Sequence, residues 1–224
     1  DLSNNIYVTD GSSIRIFNRE GILIRKLGNR GEQDGQFNGV NAVSVNNSTG
    51  DIYVFDLTHR IQVFNLEGKF LRRWDMKANL IRRGMAINNN GDVLVNAAIG
   101  PANLKNYALW KFTASGQILG YWKLRQLCWR IAIDNENMIY AISHNYILRL
   151  GSEGKCVKKW NIEGEVGKYH PEVPYWKSYN PKYNNYSLHD IAIDKNGQIY
   201  VIVHGFFNSK WDGPKNEIYV LDPE

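Results

Sequence analysis

Val43-Ser44-Val45-Asn46, Ile52-Tyr53-Val54, Ile61-Gln62-Val63-Phe64 and Phe70-Leu71-Arg72-Arg73-Trp74 are four short apolar stretches in succession. They are parted by Gly50-Asp51, by His59-Arg60 and by Asn65-Leu66-Glu67-Gly68. Each stretch is too short for a helix, and Gly, Asn and Asp at the breaks suit tight turns, so the run reads as four strands joined by hairpins. Its second element recurs five times, as Ile6-Tyr7-Val8, Ile52-Tyr53-Val54, Val93-Leu94-Val95, Ile139-Tyr140-Ala141 and Ile199-Tyr200-Val201, at spacings of 46, 41, 46 and 60 residues. Periods in the forties made of short β-rich segments are those of propeller blades rather than helical repeats. The expected fold is therefore all-β, a β-propeller of four-stranded antiparallel blades with five blade positions visible.

The strands of each blade are lettered a to d from the expected axis outward. Strand a is a short apolar run ending in Asn or Asp, as in Met85-Ala86-Ile87-Asn88, Ile131-Ala132-Ile133-Asp134 and Ile191-Ala192-Ile193-Asp194. Such runs suit strands packed between neighbouring blades. Strand b is the Ile-Tyr-Val element, and strand c alternates, as in Ile14-Arg15-Ile16-Phe17. The c–d turns Asn18-Arg19-Glu20-Gly21, Asn65-Leu66-Glu67-Gly68, Thr113-Ala114-Ser115-Gly116 and Gly151-Ser152-Glu153-Gly154 share one rhythm. Strand d closes the blade.

Gly31-Glu32-Gln33-Asp34-Gly35-Gln36-Phe37, then Gly50 to Val54, His59 to Phe64 and Gly68-Lys69-Phe70-Leu71, together resemble an NHL repeat close to its consensus. The likeness extends to NHL propellers of the tripartite-motif type and to bacterial and archaeal NHL proteins. It implies a six-bladed ring. The other blades keep the rhythm and turns but lack the Gly-rich loop and the His-Arg pair.

Asp1 aligns with Asp134 and Asp194, so blade one is expected to lack strand a, and Asp222-Pro223-Glu224 aligns with the c–d turn, so blade five is expected to lack strand d. Residues 1–224 are thus read as a single propeller domain cut from a longer chain at both ends, with a long loop insertion at 163–188.

Apolar residues make up 43% of the chain, enough for a real core, and no run of about 18 apolar residues suggests a membrane span. The first residues lack the basic and apolar segments of a signal peptide, as would those of a mature secreted chain. Cys128 and Cys156 fall on opposite edges of one expected blade, too far apart to bridge, and two such thiols suit a reducing compartment. The net charge of +5 permits an anionic partner without demanding one.

Propellers bind through their interstrand loops, and three loops are long here. Residues 96–107 and 203–216 are expected as b–c loops, and 163–188 as a d–a insertion. The insertion carries Tyr175 and Trp176; the last b–c loop carries His204, Phe206, Phe207 and Trp211. Aromatic residues in such numbers are typical of protein interfaces. Where strand a begins, alignment sets Asn41, Arg83, Trp129 and His189 in one slot, followed by Ala42, Gly84, Arg130 and Asp190. Propeller lyases of the peptide-amidating type resemble NHL proteins, and in them several His residues hold a metal here. This chain offers His189 alone, whereas zinc takes three or four protein ligands, so no metal is assigned. His59 belongs to the repeat and reads as a turn residue.

The sequence contains no phosphate-binding Gly-Lys-Ser loop, no HExxH and no Gly-x-Ser-x-Gly, so no cofactor and no catalytic residue is assigned. The basic doublets Arg25-Lys26, Arg72-Arg73 and Lys158-Lys159 fall on strand d, where charge guards exposed edges against aggregation. The expected function is a non-enzymatic scaffold binding protein or peptide through the loop face of blades three to five. One alternative is RNA binding by a basic face including Arg82 and Arg83, as some tripartite-motif-type NHL propellers do. A second is a metal-dependent propeller lyase or hydrolase completed by His residues elsewhere.

Overall fold

The computed structural model describes residues 1, 3–76, 84–98, 107–124, 128–143, 146–161, 185–194, 196–206 and 215–221. The chain divides into two compact units, Asp1–Gln126 and Leu127–Glu224. The described residues are strands, turns and irregular segments, with no helix among them. The fold is that of a β-propeller built of antiparallel blades.

The first unit opens with a three-stranded blade, β1 (Ile6–Thr9), β2 (Ile14–Phe17) and β3 (Leu23–Leu27), ordered as in sequence. A small parallel pair, β4 (Asn29–Arg30) and β5 (Gln36–Phe37), lies in the connection to blade two. Blade two is β6 (Val40–Val45), β7 (Ile52–Asp56), β8 (Arg60–Phe64) and β9 (Phe70–Asp75). Blade three is β10 (Met85–Ile87), β11 (Val93–Ala98), β12 (Tyr107–Phe112) and β13 (Ile118–Leu124). In the second unit, blade four is β14 (Arg130–Ile133), β15 (Ile139–Ile142), β16 (Tyr146–Leu150) and β17 (Cys156–Asn161). Blade five is β18 (Asn185–Ile193), β19 (Ile199–Phe206) and β20 (Lys215–Leu221).

In blades two, three and four the second strand is covered on both faces, which is why it reads as an unbroken apolar run rather than alternating. All five residues of β7 are buried. In the first unit, Tyr53, Phe55, Ile61 and Val63 of blade two pack on Met85, Val93, Val95 and Phe112 of blade three. In the second unit, Tyr140, Ile142, Ile147 and Trp160 of blade four pack on Leu188, Ile191, Ile199 and Val201 of blade five.

The Tyr of the Ile-Tyr-Val element has a definite partner. In blades one, four and five an Asp side chain folds the a–b hairpin and then accepts from the Tyr hydroxyl six positions later. Asp134 Oδ1 accepts from the amides of Glu136 and Met138 (both 2.9 Å), and its Oδ2 accepts from Tyr140 Oη at 3.1 Å. Asp1 repeats this with Ser3, Asn5 and Tyr7, the last at 2.7 Å, and Asp194 with Asn196, Gln198 and Tyr200, the last at 3.4 Å. Blade three has Leu94 in place of Tyr, and there Asn88 Oδ1 accepts from the amides of Asn90 and Asp92 while Lys111 pairs with Asp92 at 2.9 Å. An aspartate side chain satisfies turn amides that would otherwise lack partners, and this gives the repeat its Asp-x3-x-x-Tyr spacing.

Arg60 explains the Gly-rich loop. Its Nε donates to Asp56 at 3.1 Å, both side chains being buried, while its terminal nitrogens donate to the carbonyls of Gly31 (3.2 Å), Gln36 (2.9 Å) and Glu32. Gln62 accepts from the Gly35 amide at 2.9 Å and donates to the Gln36 carbonyl at 2.7 Å. The planar guanidinium offers five donors in a fixed fork and so serves Asp56 and three carbonyls at once, more acceptors than the three donors of a lysine could reach from one point. Gly28, at φ +76°, has no room for a side chain, because a Cβ would overlap the Phe37 ring. The reading of His59 as a turn residue agrees with its φ of +66° and with its amide donating to Asp56 O at 3.1 Å.

Three expected loops are shorter than the sequence suggested. β11 continues to Ala98 and β12 begins at Tyr107, so residues 96–98 are strand. β18 begins at Asn185, within the stretch expected as the 163–188 insertion. β19 continues to Phe206, with His204 opposite Asn216 and Gly205 opposite Lys215, so His204 and Phe206 sit in a strand rather than a b–c loop. Polar and glycine-containing ends masked these extensions. A ladder is made by backbone groups and continues wherever a facing strand exists, whatever the side chains.

Candidate recognition surface

The slot assigned to Asn41, Trp129 and His189 is a β-bulge. In blade two, Val40 faces Asp56 and Ala42 faces Phe55, leaving Asn41 as the extra residue. In blade five, Leu188 faces Val203 and Asp190 faces Ile202, leaving His189 extra. In blade four, Arg130 faces Ile142 while the Trp129 amide also donates to the Ile142 carbonyl at 2.7 Å, so again two residues oppose one. A bulge bends the strand and re-aims the side chain of the extra residue. Asn41, half-buried, thus holds in the first unit the position that Trp129 and His189 hold in the second.

Within the second unit, two of these bulges lie close together, since β14 packs against β18. Trp129 is half-buried and rests on the core shared by Leu188, Ile191 and Val201. The Arg130 guanidinium comes within 3.9 Å of the Asp190 carboxylate, and it also donates to the Trp129 carbonyl at 3.3 Å. Asp190 Oδ1 accepts from the Ile191 amide at 2.9 Å, which fixes the carboxylate at the start of the regular strand. His189 is exposed beside it. An apolar platform, a cation, an anion and an imidazole are therefore carried by the start of β14 and the middle of β18, two strands packed together. Cys128, which precedes Trp129 in sequence, is buried, and burial pushes its thiol up to about 12, which disfavours the thiolate near neutral pH.

Of the remaining expected binding residues, Arg83, Tyr175, Trp176, Phe207 and Trp211 lie outside the described residues, as does Arg82. Among the described residues no group of three or more His, Cys, Asp or Glu could hold a metal ion.

The doublets Arg72-Arg73 and Lys158-Lys159 of the fourth strands engage neighbouring groups of the fold. Arg72 pairs with Asp51 at 3.1 Å, donates to Tyr53 Oη at 3.0 Å and reaches the Ala114 carbonyl at 3.0 Å. Arg73 pairs with Asp34 at 2.7 Å. Lys158 lies 4.7 Å from the Trp160 ring centre and Lys159 3.8 Å from that of Tyr146. These positions favour edge protection and cation–π packing over a continuous track for a polyanion. The two thiols form no disulfide, with Cys156 exposed on β17.

No family model matches the chain. Over 99 residues, 42% of this chain, the sequence is 33% identical to Protein brain tumor of Drosophila melanogaster, and the match spans 10% of that protein. Among solved structures, hydrazine synthase of Kuenenia stuttgartiensis superposes with a TM-score of 0.65 over 99% of this chain and 60% of that one, at 11% identity. A streptogramin B lyase does so with a TM-score of 0.59 over all of this chain and 67% of that one, at 15% identity. At such identities the likeness is one of fold.

Proposed function

We propose that the chain is a non-enzymatic scaffold of NHL type that binds a protein or peptide segment, with an anchoring surface at the start of β14 and the mid-strand bulge of β18. The observation that carries this reading is the pair of adjacent bulges that turn Trp129 and His189 out of the ladder beside the Arg130–Asp190 pair. Balanced charge next to an aromatic platform suits the mixed polar and apolar surface of a polypeptide, with the aromatic and the arginine as energetic anchors.

A purely anionic ligand is less well served, because the guanidinium of Arg130 has a carboxylate nearby and the Arg72–Arg73 doublet is paired with Asp51 and Asp34. The test is a pull-down with Arg130→Ala and His189→Ala chains beside a salt titration of oligonucleotide binding. The proposal expects captured proteins to be lost with the variants. It also expects oligonucleotide binding to be weak at physiological salt. Tight oligonucleotide binding that falls steeply with salt would favour RNA instead.

A further inference from the structure

The outer edge of blade three differs chemically from that of every other blade whose strand d is described. β3, β9, β13 and β17 each carry a bulge at an aliphatic residue, Ile24, Leu71, Leu119 and Val157 respectively. The regular edge resumes just after the bulge, with Arg25-Lys26, Arg72-Arg73 and Lys158-Lys159 in three of these strands. In β13 the same two places hold Gly120 and Tyr121. β13 ends its sheet, with β12 its one hydrogen-bonded neighbour among the described residues. Ile118, Leu119 and Tyr121 are 58%, 52% and 47% exposed, so this edge is apolar where the others are guarded by charge.

We propose that β13 accepts an extended segment of another protein as a fifth strand, one with an acidic residue two positions before a branched apolar residue. From Gly120 to Leu124 the strand is in unbroken register with β12, so its outward backbone groups offer a regular ladder to a partner. Gly120 stands in open space, where a Cβ would meet no atom within 4 Å, and leaves room for another backbone to approach. Tyr121 rests on Trp110, with ring centres 4.9 Å apart, and shares its face of the sheet with Lys123. Lys123 is exposed and has no ion pair among the described residues, whereas Arg72 and Arg73 of β9 are paired with Asp51 and Asp34. In an antiparallel partner, the residue opposite Lys123 comes two positions before the residue opposite Tyr121, on the same face. A carboxylate at the first position and a branched side chain at the second complement the cation and the aromatic ring. A second copy of this chain fits less well, because Ile118–Leu124 contains no acidic residue and self-pairing would leave Lys123 without a counter-charge.

The experiment measures, by fluorescence anisotropy, the binding of two blocked and labelled heptapeptides, TETVTVT and TKTVTVT, to the 224-residue chain and three variants. The proposal expects the parent to prefer the glutamate peptide and Lys123→Glu to reverse that preference, each affinity moving about two- to fivefold. Tyr121→Lys, which restores a basic residue where Arg73 and Lys159 stand in their strands, is expected to weaken both peptides by a similar factor. Trp129→Ala is expected to leave both affinities unchanged, which separates this edge from the surface on β14 and β18. Failure of both peptides to bind, equal binding to all four chains, or loss of binding in Trp129→Ala would overturn the proposal. So would sedimentation showing that the parent pairs with itself and that Tyr121→Lys abolishes the pairing.

Discussion

Arg60 and Asp56 form a buried ion pair, 3.1 Å apart, from which the guanidinium reaches out to the carbonyls of the Gly31–Phe37 loop. Removing one partner of such a pair leaves a buried charge without compensation, a loss of about 3–5 kcal/mol. Arg60→Met is therefore expected to lower unfolding free energy by that amount in urea titrations, and Arg60→Lys to restore little of it, because the compact ammonium cannot reach Asp56 and the three spread carbonyls together. Arg15→Ala, which breaks the exposed pair with Asp10, is expected to cost less than about 1 kcal/mol.

Alkaline pH should weaken the fold in a defined window. Burial, and then the charge of Asp134, raise the Tyr140 hydroxyl from 10.0 to about 12, against the opposing effect of Arg149. Burial alone raises the Cys128 thiol from 9.0 to about 12. Both folded values lie above the unfolded ones, so the unfolded chain releases these protons first. Stability is thus full below about pH 9 and falls as pH rises towards 12. Thermal scans across this range should show a flatter decline in Tyr140→Phe and Cys128→Ala chains than in the parent.

The same thiols should differ in reactivity. Cys156 is exposed on β17 and Cys128 is buried with its pKa raised, so iodoacetamide at pH 8 is expected to label Cys156 alone in the folded chain. Peptide mass analysis reads the result, with both cysteines labelled after unfolding.

Gly116 stands in the c–d turn of blade three at φ +90°, and a Cβ there would overlap the indole of Trp74 in blade two. Gly116→Ala is expected to cost about 1–3 kcal/mol, through the strained turn and the displaced ring. Near-ultraviolet circular dichroism should report the movement of Trp74 along with the loss of stability. Gly21→Ala, whose φ is +79° but whose surroundings are open, should show the turn strain without the aromatic change.

Much of this architecture was legible in the sequence, because repeated strands must bury repeated faces. The Ile-Tyr-Val elements, the Asp or Asn that ends strand a and the c–d turns all sit where their spacing put them. The alignment of Asp1 with Asp134 and Asp194 is matched by one hydrogen-bond pattern at all three. Strand ends were less legible. Val203 to Gly205 pairs with residues 215–217 although His204 and Gly205 give no apolar alternation. The site was legible as a column of aligned residues, Asn41, Trp129 and His189, but not as a bulge. An extra residue in one strand shows only against its partner, and the partner register is absent from a linear pattern.

The central claim, a polypeptide-binding surface at the start of β14 and the mid-strand bulge of β18, is tested most directly by selecting a random peptide library on the parent chain. The affinity of the selected peptides is then measured on His189→Ala, Arg130→Ala and Trp129→Ala chains, with Lys158→Ala/Lys159→Ala as the control. The account predicts peptides whose affinity falls about tenfold or more for each surface variant, about 1.4 kcal/mol or more, and stays unchanged in the control. Peptides that bind all four chains alike would contradict it.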